Sequence, residues 1–175
     1  MIQLTLFDIN KQLCIEWERA FVSFKHRVNI VNKDLVDLEP HDILVTAGNS
    51  FGIMAGGIDY YVNKLCKFKV ESLVQQAIDS YWGQLPVGKF VTINIDKLTK
   101  GQFKVLVYAP TMKNPGERIS PKDIFTVFYP IIKTYRATNV SIACPGLGSL
   151  TGGVPLNLVA DEMQKAYIKG VQDEN

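Results

Sequence analysis

Side chains that bind metals or carry redox chemistry are scarce in this sequence. It contains two histidines, His26 and His41, and three cysteines, Cys14, Cys66 and Cys144. The histidines are far apart and no Cys-x-x-Cys pair is present, so we predict no metal site. The cysteines are expected to be reduced and mostly buried. Cys144 lies beside a glycine-rich segment, which leaves a reactive thiol open, although no base stands near it in sequence.

A marked charge excess and a long hydrophobic run are also missing. The 19 basic and 17 acidic residues give a formal net charge of +2, which is too small to indicate a strong nucleic-acid-binding or membrane-binding surface. No stretch approaches the roughly 18 to 20 apolar residues that cross a bilayer, and no basic leader precedes the first apolar residues. We therefore expect a soluble, cytoplasmic protein. Its length and its 47% hydrophobic content predict one domain over residues 1–175.

Hydrophobic periodicity predicts six strands and five helices. The strands are Gln3–Asp8, Val28–Asn32, Ile43–Gly48, Phe90–Ile95, Lys104–Ala109 and Val140–Cys144. The helices are Lys11–Val22, Ile58–Lys67, Val70–Trp82, Pro121–Arg136 and Leu156–Lys169. Because strands and helices alternate, we expect a largely parallel sheet with helices on both faces. The third and sixth strands are nearly free of charge, which predicts that they are central.

Two glycine-rich segments each follow one of these predicted central strands. They run from Thr46 to Asp59 and from Pro145 to Pro155. Ligands of α/β proteins bind beyond the carboxyl ends of strands, where glycine loops and helix N-termini present free N–H groups. Glycines in either segment could simply make tight turns, but two such segments favour a ligand site. Neither has the pattern of a P-loop or of Gly-x-Gly-x-x-Gly, which argues against a kinase or a Rossmann dehydrogenase.

Several of these motifs resemble those of the macro domain family. Lys33-Asp34-Leu35 is similar to the family's Gly-Asp-Ile, Thr46 to Asn49 to its Asn-Ala-Ala-Asn, and Met54 to Asp59 to its Gly-Gly-Gly-Gly-Val-Asp. Pro145 to Gly153 is similar to its second phosphate loop, and the likeness extends from Val28 to Tyr167. The resemblance implies a three-layer α/β/α sandwich with a mixed, mostly parallel six-stranded sheet.

The resemblance also implies a ligand, which is ADP-ribose or an ADP-ribosylated molecule, and no cofactor. Asp34 would accept a hydrogen bond from the adenine amino group, Asn49 would bind the distal ribose, and Tyr167 is a candidate for stacking on adenine. Asp34 could instead cap a turn, and Asn49 could only satisfy backbone groups. The residues that we predict to bind the ligand are Asp34, Leu35, Asn49, Gly56, Gly57, Ile58, Gly146, Leu147, Gly148, Ser149, Leu150, Thr151 and Gly152.

The activity that the resemblance implies is hydrolysis of an ADP-ribosyl linkage. Asn49 and Asp59 stand where MacroD-type hydrolases have their two catalytic residues, and Asp59 could orient a water at the anomeric carbon. A carboxylate in the first turn of a helix is also stabilised by the macrodipole without doing chemistry. Three alternatives remain open: an ADP-ribose-1''-phosphate phosphatase, a non-catalytic module that reads or sequesters ADP-ribose compounds, and a scaffold with an empty cleft.

Departures from the family pattern bear on the substrate. Thr46 replaces the family's first asparagine, Met54 and Ala55 replace two glycines, and Leu150 stands where the second loop usually has glycine. The bulk of Leu150 could narrow the diphosphate channel. Altered loops predict an altered substrate, such as a 1''-phosphate, a nucleic-acid adduct or a signalling nucleotide built on ADP-ribose.

Overall fold

A computed structural model of the chain describes residues 2–172, and six strands and five α-helices lie among them. The strands are β1 (Gln3–Phe7), β2 (Val28–Val31), β3 (His41–Asn49), β4 (Val91–Asn94), β5 (Phe103–Met112) and β6 (Ser141–Pro145). The helices are α1 (Lys11–Ala20), α2 (Gly57–Leu65), α3 (Val70–Ile78), α4 (Pro121–Tyr135) and α5 (Leu156–Gln172). Short 3-10 helices span Val22–Phe24, Leu35–Asp37 and Asp79–Tyr81.

The strands form one mixed sheet in the order β2-β1-β6-β3-β5-β4. Neighbouring strands are parallel except for β4, which runs antiparallel to β5. The prediction of a mostly parallel sheet with β3 and β6 at its centre is confirmed. Because β1, β2, β3, β5 and β6 point the same way, their carboxyl ends meet at one edge of the sheet.

Helices cover both faces of the sheet and complete a three-layer α/β/α sandwich. Alternate residues of β3 enter two separate cores: Ile43 and Val45 pack with residues of α1, α4 and α5, whereas Leu44 packs with residues of α2 and α3. This alternation is the period of a strand that is buried on both sides. Within residues 2–172, no helix combines the length and the hydropathy that a membrane span requires.

Strand β5 is longer than predicted, and its pairing explains why. The predicted strand ends at Ala109, directly before Pro110, but β5 continues through Pro110 to Met112. The antiparallel partner β4 pairs only with residues 105–108 of β5, so residues 109–112 are paired on one side alone. Proline, which lacks an N–H donor, is tolerated where the N–H would have no strand partner.

Candidate functional site

A cleft of about 520 Å³ lies at the edge of the sheet where the parallel strands end. Its lining includes residues from the carboxyl end of each of those strands: Phe7 and Asp8 after β1, Lys33 and Asp34 after β2, Ala47 to Asn49 in β3, Thr111 and Met112 in β5, and Pro145 and Gly146 after β6. Pro115 and Gly116 add one wall from the loop that follows β5. The position of the cleft is therefore the one that the topology of an α/β sheet favours for a ligand.

Asp59 and the predicted ligand-binding residues line this cleft, with the exception of Leu147. Leu147 has no exposed surface and belongs to the core that α1, α4 and α5 form. Burying such a side chain stabilises the fold by about 1.5–3 kcal/mol, so the leucine anchors the second glycine loop to the core. The predicted ligand-binding residue Leu147 therefore has no side chain in the lining of the cleft.

The aromatic residue that we considered for adenine stacking is also in the core. Tyr167 is 1% exposed, and its ring packs edge-on against Phe21 and Phe24, with ring centroids 5.8 Å and 5.4 Å away. That prediction is wrong, because α5 turns Tyr167 inward. Tyr61, on α2, lines the cleft with a ring that is 57% exposed. Helical spacing alone did not distinguish these two tyrosines.

The side chain of Asn49 holds the first half of the first glycine loop. Its Nδ2 donates to the carbonyl of Ile53 at 2.7 Å, and its Oδ1 accepts from the N–H groups of Phe51 at 3.1 Å and Ile53 at 3.2 Å. The residue is 5% exposed and also lines the cleft. Asn49 therefore satisfies backbone groups of its own loop, which is the alternative predicted for it. The residue also borders the cavity, where a ribose could be bound.

Helix α3 fixes the middle of the same loop through two side chains. Glu71 Oε2 accepts from the N–H of Met54 at 2.6 Å, and Gln75 Nε2 donates to the carbonyl of Gly52 at 3.3 Å. Met54 itself is 1% exposed and packs in the core beside α2 and α3. The methionine that departs from the family's glycine therefore anchors the loop from below and does not obstruct the cleft, whose lining does not include it.

The second half of the loop is open. A Cβ added at Gly56 or Gly57 would meet none of the described atoms within 4 Å, and both residues are exposed and line the cleft. Gly57 has a φ of +58°, which favours glycine, but Gly56 has an extended backbone that any residue adopts. Gly56 is the N-cap of α2, and no side chain in the described part of the chain caps that end. The first N–H groups of α2 are thus available beside the cavity.

The second glycine loop is packed tightly. A Cβ at Gly146 would lie 2.5 Å from a methyl group of Leu13, and one at Gly152 would lie 2.8 Å from the carbonyl oxygen of Gly148. Gly152 also accepts from the N–H of Ile119 at 3.0 Å, which ties the loop to the segment before α4. Glycine is required at these positions by the protein's own packing. Ser149, Leu150 and Thr151 line the cleft between them, and the side chain of Leu150 is 72% exposed.

Asp59 is the most strongly perturbed acid in the lining. Its side chain is 3% exposed and accepts a hydrogen bond from Thr46 Oγ1 at 2.6 Å. Burial raises the pKa of Asp59 to about 8; the Thr46 hydrogen bond opposes this rise and the charge of Glu71 adds to it. Burial therefore favours the neutral, protonated form of this carboxyl. A helix N-terminus stabilises only the ionised form, so the macrodipole does not dominate here.

Tyr108, a residue that sequence reasoning missed, supports the same corner of the cleft. Its hydroxyl donates to the carbonyl of Asn49 at 2.8 Å and accepts from the N–H of Asn49 at 3.0 Å. A Cβ at Gly48 would overlap the hydroxyl of Tyr108 and lie 2.5 Å from Asp59 Oδ2. Gly48 is thus the residue that allows Tyr108 and Asp59 to approach the end of β3 together. Burial raises the pKa of Tyr108, which remains a neutral hydroxyl.

Two further carboxylates border the cleft. Asp34 is exposed, and its Oδ1 accepts from the N–H of Val36 at 3.2 Å, so it caps the 3-10 helix, which is the alternative role predicted for it. Asp8, which we did not single out, accepts from the N–H of Asn10 at 2.8 Å and from the N–H of Gly146. Burial raises the pKa of Asp8 despite these bonds. The position of Asp8 directly after β1, where ligands of α/β proteins bind, could have indicated from the sequence that it borders the cleft.

Burial excludes Cys144 as a reactive thiol. Cys144 has no exposed surface, and burial raises the pKa of its thiol, which therefore stays protonated and shielded. Within residues 2–172, no three histidine, cysteine or acidic side chains are grouped so that they could hold a metal ion.

Comparison with known proteins relates this architecture to one family. A family model described as Macro domain matches residues 45–163, a segment that contains both glycine loops. A protein of Aquifex aeolicus (strain VF5), named only as uncharacterized, is 27% identical over 137 residues, which are 78% of this chain and 78% of that protein.

Solved structures share the fold. The macrodomain of Mycobacterium tuberculosis DarG has a TM-score of 0.66 and 22% identity, over 78% of this chain and 87% of that one. Thermosipho africanus DarTG in complex with ADP-ribose has a TM-score of 0.62 and 16% identity, over 96% of this chain but 51% of that one. A glycine-to-valine variant of the Oceanobacillus iheyensis macrodomain with ADPR has a TM-score of 0.64 and 12% identity, over 81% of this chain and 77% of that one.

Proposed function

We propose, because this chain belongs to the macro domain family, that its cleft binds ADP-ribose or a close derivative. The observation that carries the proposal is the open half of the first glycine loop. At Gly56 neither the backbone angle nor any described neighbour requires glycine, and the free space lies beside the cleft. A glycine there is explained by the close approach of a ligand to the backbone.

The chemistry of the lining supports a diphosphate nucleotide. The N–H groups at the start of α2 carry the partial positive charge of a helix N-terminus and suit a phosphate. Ser149 and Thr151 line the cleft from the second loop and can donate hydroxyl hydrogens. Asp34 and Tyr61 offer an acceptor and an aromatic ring for an adenine base. The cavity volume of about 520 Å³ is within the range that small-molecule sites occupy.

We further propose hydrolysis of an ADP-ribosyl linkage, with Asp59 as the base. In its ionised form Asp59 would take a proton from a water whose oxygen attacks the anomeric carbon of the distal ribose, and the bond to the acceptor would break. The acceptor would leave with the electron pair of that bond and receive a proton from solvent. Because the pKa of Asp59 is raised to about 8, the rate is expected to rise between pH 6 and pH 9. Asn49 would hold the ribose while its backbone is fixed by Tyr108.

Specific features of the site favour the alternative, a module that binds without turnover. Asp59 is 3% exposed, burial raises its pKa and so opposes the ionised form that a base needs, and the side-chain amide of Asn49 is engaged with its own loop. A binding-only protein would use the same cleft and the same amides. The two functions therefore differ in turnover alone.

A binding and turnover panel separates them. The ligands are ADP-ribose, its 1''-phosphate, NAD, and ADP-ribosylated protein and nucleic acid, each tested by thermal shift and by product formation. A ligand that binds the folded state raises the melting temperature with its concentration. We expect Asp59→Asn to lower turnover by about 100-fold or more and to keep ADP-ribose binding, while Asp79→Asn, an exposed acid outside the lining, changes neither.

The outcomes are distinct. Turnover of any substrate by wild type that Asp59→Asn leaves unchanged contradicts the role of Asp59. Binding without turnover across the panel, at pH 7 and at pH 9, supports a module that binds ADP-ribose compounds without hydrolysing them. Absence of any thermal shift with millimolar ligand contradicts the binding proposal itself.

A further inference from the structure

An exposed surface of mixed aromatic and basic character lies on α2 and the turn that follows it. It consists of Tyr60, Tyr61, Lys64, Lys67, Phe68 and Lys69, each of which is exposed. We call it the aromatic-lysine surface. Tyr61 belongs both to this surface and to the lining of the cleft, so the two features are contiguous.

The three aromatic rings of this surface are neighbours. The ring centroids of Tyr60 and Tyr61 are 5.5 Å apart, and those of Tyr60 and Phe68 are 6.0 Å apart. Tyr61 and Phe68 are 57% and 58% exposed. A lone exposed aromatic residue is ordinary in a soluble protein, but a cluster of them indicates a contact surface.

The backbone that presents Phe68 is also unusual. Lys67 and Phe68 both have left-handed conformations, with φ of +57° and +58°, which bulky residues rarely adopt. The turn is closed by the N–H of Phe68, which donates to the carbonyl of Asn63 at 2.7 Å. Glycine would end a helix here with less strain. The fold therefore does not need an outward phenylalanine at this point, which supports a role in binding.

The charge of the segment from residue 60 to residue 69 has one sign. Residues 60–69 contain Lys64, Lys67 and Lys69 and no acid, so this short segment alone exceeds the formal net charge of +2 of the whole chain. The ion pairs found among the described residues involve Arg19, Lys104 and Lys165, and none of the three lysines of this surface. The small net charge of the whole chain does not reveal this local concentration of positive charge.

We propose that the aromatic-lysine surface binds single-stranded nucleic acid. Ammonium groups that attract phosphates, interleaved with aromatic faces on which unpaired bases stack, are the two elements of such sites. Protein interfaces are enriched in arginine and depleted in lysine, and this surface contains lysine only. Amphipathic helices that lie on membranes place a continuous apolar face in the lipid, whereas the apolar face of α2, with Val62, packs in the core.

The proposal stands apart from the function of the cleft. It requires only that α2 and the turn to Lys69 are folded. Since Tyr61 borders the cleft, a bound strand would pass its mouth, and an ADP-ribose group on or near that strand could enter it.

Fluorescence anisotropy with a labelled, unmodified 20-nucleotide oligothymidylate tests the proposal. Three lysine contacts to a single strand predict a slope of log K against log salt of about −2, so affinity should fall about 15-fold between 50 and 200 mM salt. Phe68→Ala should weaken binding about five-fold or more. The triple change Lys64→Gln, Lys67→Gln and Lys69→Gln should abolish most of the salt dependence.

Matched controls use exposed residues elsewhere on the chain. The triple change Lys89→Gln, Lys97→Gln and Lys100→Gln removes the same charge, and Trp82→Ala removes an aromatic ring that is 99% exposed. Both should leave affinity for the oligonucleotide within about two-fold, since neither removes a ring on which a base stacks or an ammonium group that pairs with a phosphate. Thermal shift with ADP-ribose reports on the cleft of each variant.

Several results would overturn the proposal. These are no binding of the oligonucleotide at 50 mM salt, equal losses in the control and test triples, or tighter binding of a polyglutamate peptide or of anionic vesicles than of the oligonucleotide. If wild type binds the oligonucleotide but shows no thermal shift with ADP-ribose, the proposed function of the cleft is contradicted. The proposal for the aromatic-lysine surface is then unaffected.

Discussion

In the first glycine loop, Gly56 and Gly57 have open space where a side chain would lie, whereas in the second loop Gly146 and Gly152 meet neighbouring atoms at once. Side chains hold the first loop, through Asn49, Glu71 and Gln75, and leave its end free. Backbone bonds and close packing hold the second loop along its length. At Gly146 and Gly152 glycine therefore serves the packing of the fold, whereas at Gly56 it leaves room for a ligand.

This difference between the two loops is expected to appear in the stability of glycine variants. Gly152→Ala places a methyl group 2.8 Å from a carbonyl oxygen and 2.9 Å from the Cα of Gly148, and backbone atoms cannot move aside easily. We expect a loss of about 1–3 kcal/mol in the free energy of unfolding, measured by urea denaturation. Gly56→Ala should change it by less than about 0.5 kcal/mol. Equal losses in the two variants would show that the two loops do not differ in how tightly their glycines are packed.

The carboxylates beside the two loops predict a difference in pH dependence. The pKa of Asp59 is raised from 3.8 to about 8 when the chain folds, so between these values the folded state holds a proton that the unfolded state releases. The free energy of unfolding should therefore fall as pH rises through this window, by at most about 1.4 kcal/mol per pH unit. Asp59→Asn should remove this fall.

Asp8, beside the second loop, serves as the matched control. Its pKa is raised as well, but it keeps hydrogen bonds from the backbone N–H groups of Asn10, Gly146 and Ile9, which favour its ionised form. Asp8→Asn should flatten the pH profile less than Asp59→Asn does. Denaturation series from pH 4 to pH 9 measure this, and the reverse order would show that Asp59 is ionised in the folded protein.

The smallest expected effect concerns Leu150, the exposed side chain of the second loop. Leu150→Ala should leave stability within about 0.5 kcal/mol because the side chain is 72% exposed. It should raise affinity for ADP-ribose by at most about ten-fold, which corresponds to about 1.4 kcal/mol of relieved crowding. Leu158→Ala, on α5 and outside the lining, is the control. Loss of affinity in Leu150→Ala would mean that the leucine contacts the ligand favourably.

Local patterns predicted the fold well because the fold depends on them. The uncharged runs of β3 and β6 predicted central strands, and loops after such strands predicted where the cleft lies. The end of β5 could not be predicted, since Pro110 is tolerated only because β4 stops pairing before it. Whether a strand continues past a proline is decided by its partners and not by its own sequence.

The site was predictable in outline and not in its contacts. Leu147 and Leu150 belong to the same short loop, yet one is fully buried and the other 72% exposed, which depends on how the loop meets α1 and α4. The hydrogen bond from Thr46 to Asp59 joins the two ends of the first glycine-rich segment, and that from Tyr108 to Asn49 joins residues 59 positions apart in sequence. No periodicity or motif encodes such pairs.

Calorimetric titration of ADP-ribose into wild type and Gly56→Ala, with urea denaturation of both proteins alongside, tests whether the ligand lies against the backbone at Gly56. If the open half of the first loop receives the ligand directly against its backbone, Gly56→Ala should keep its stability within about 0.5 kcal/mol and lose affinity at least ten-fold, about 1.4 kcal/mol. A Gly56→Ala protein that is equally stable and binds ADP-ribose as tightly as wild type would contradict the account.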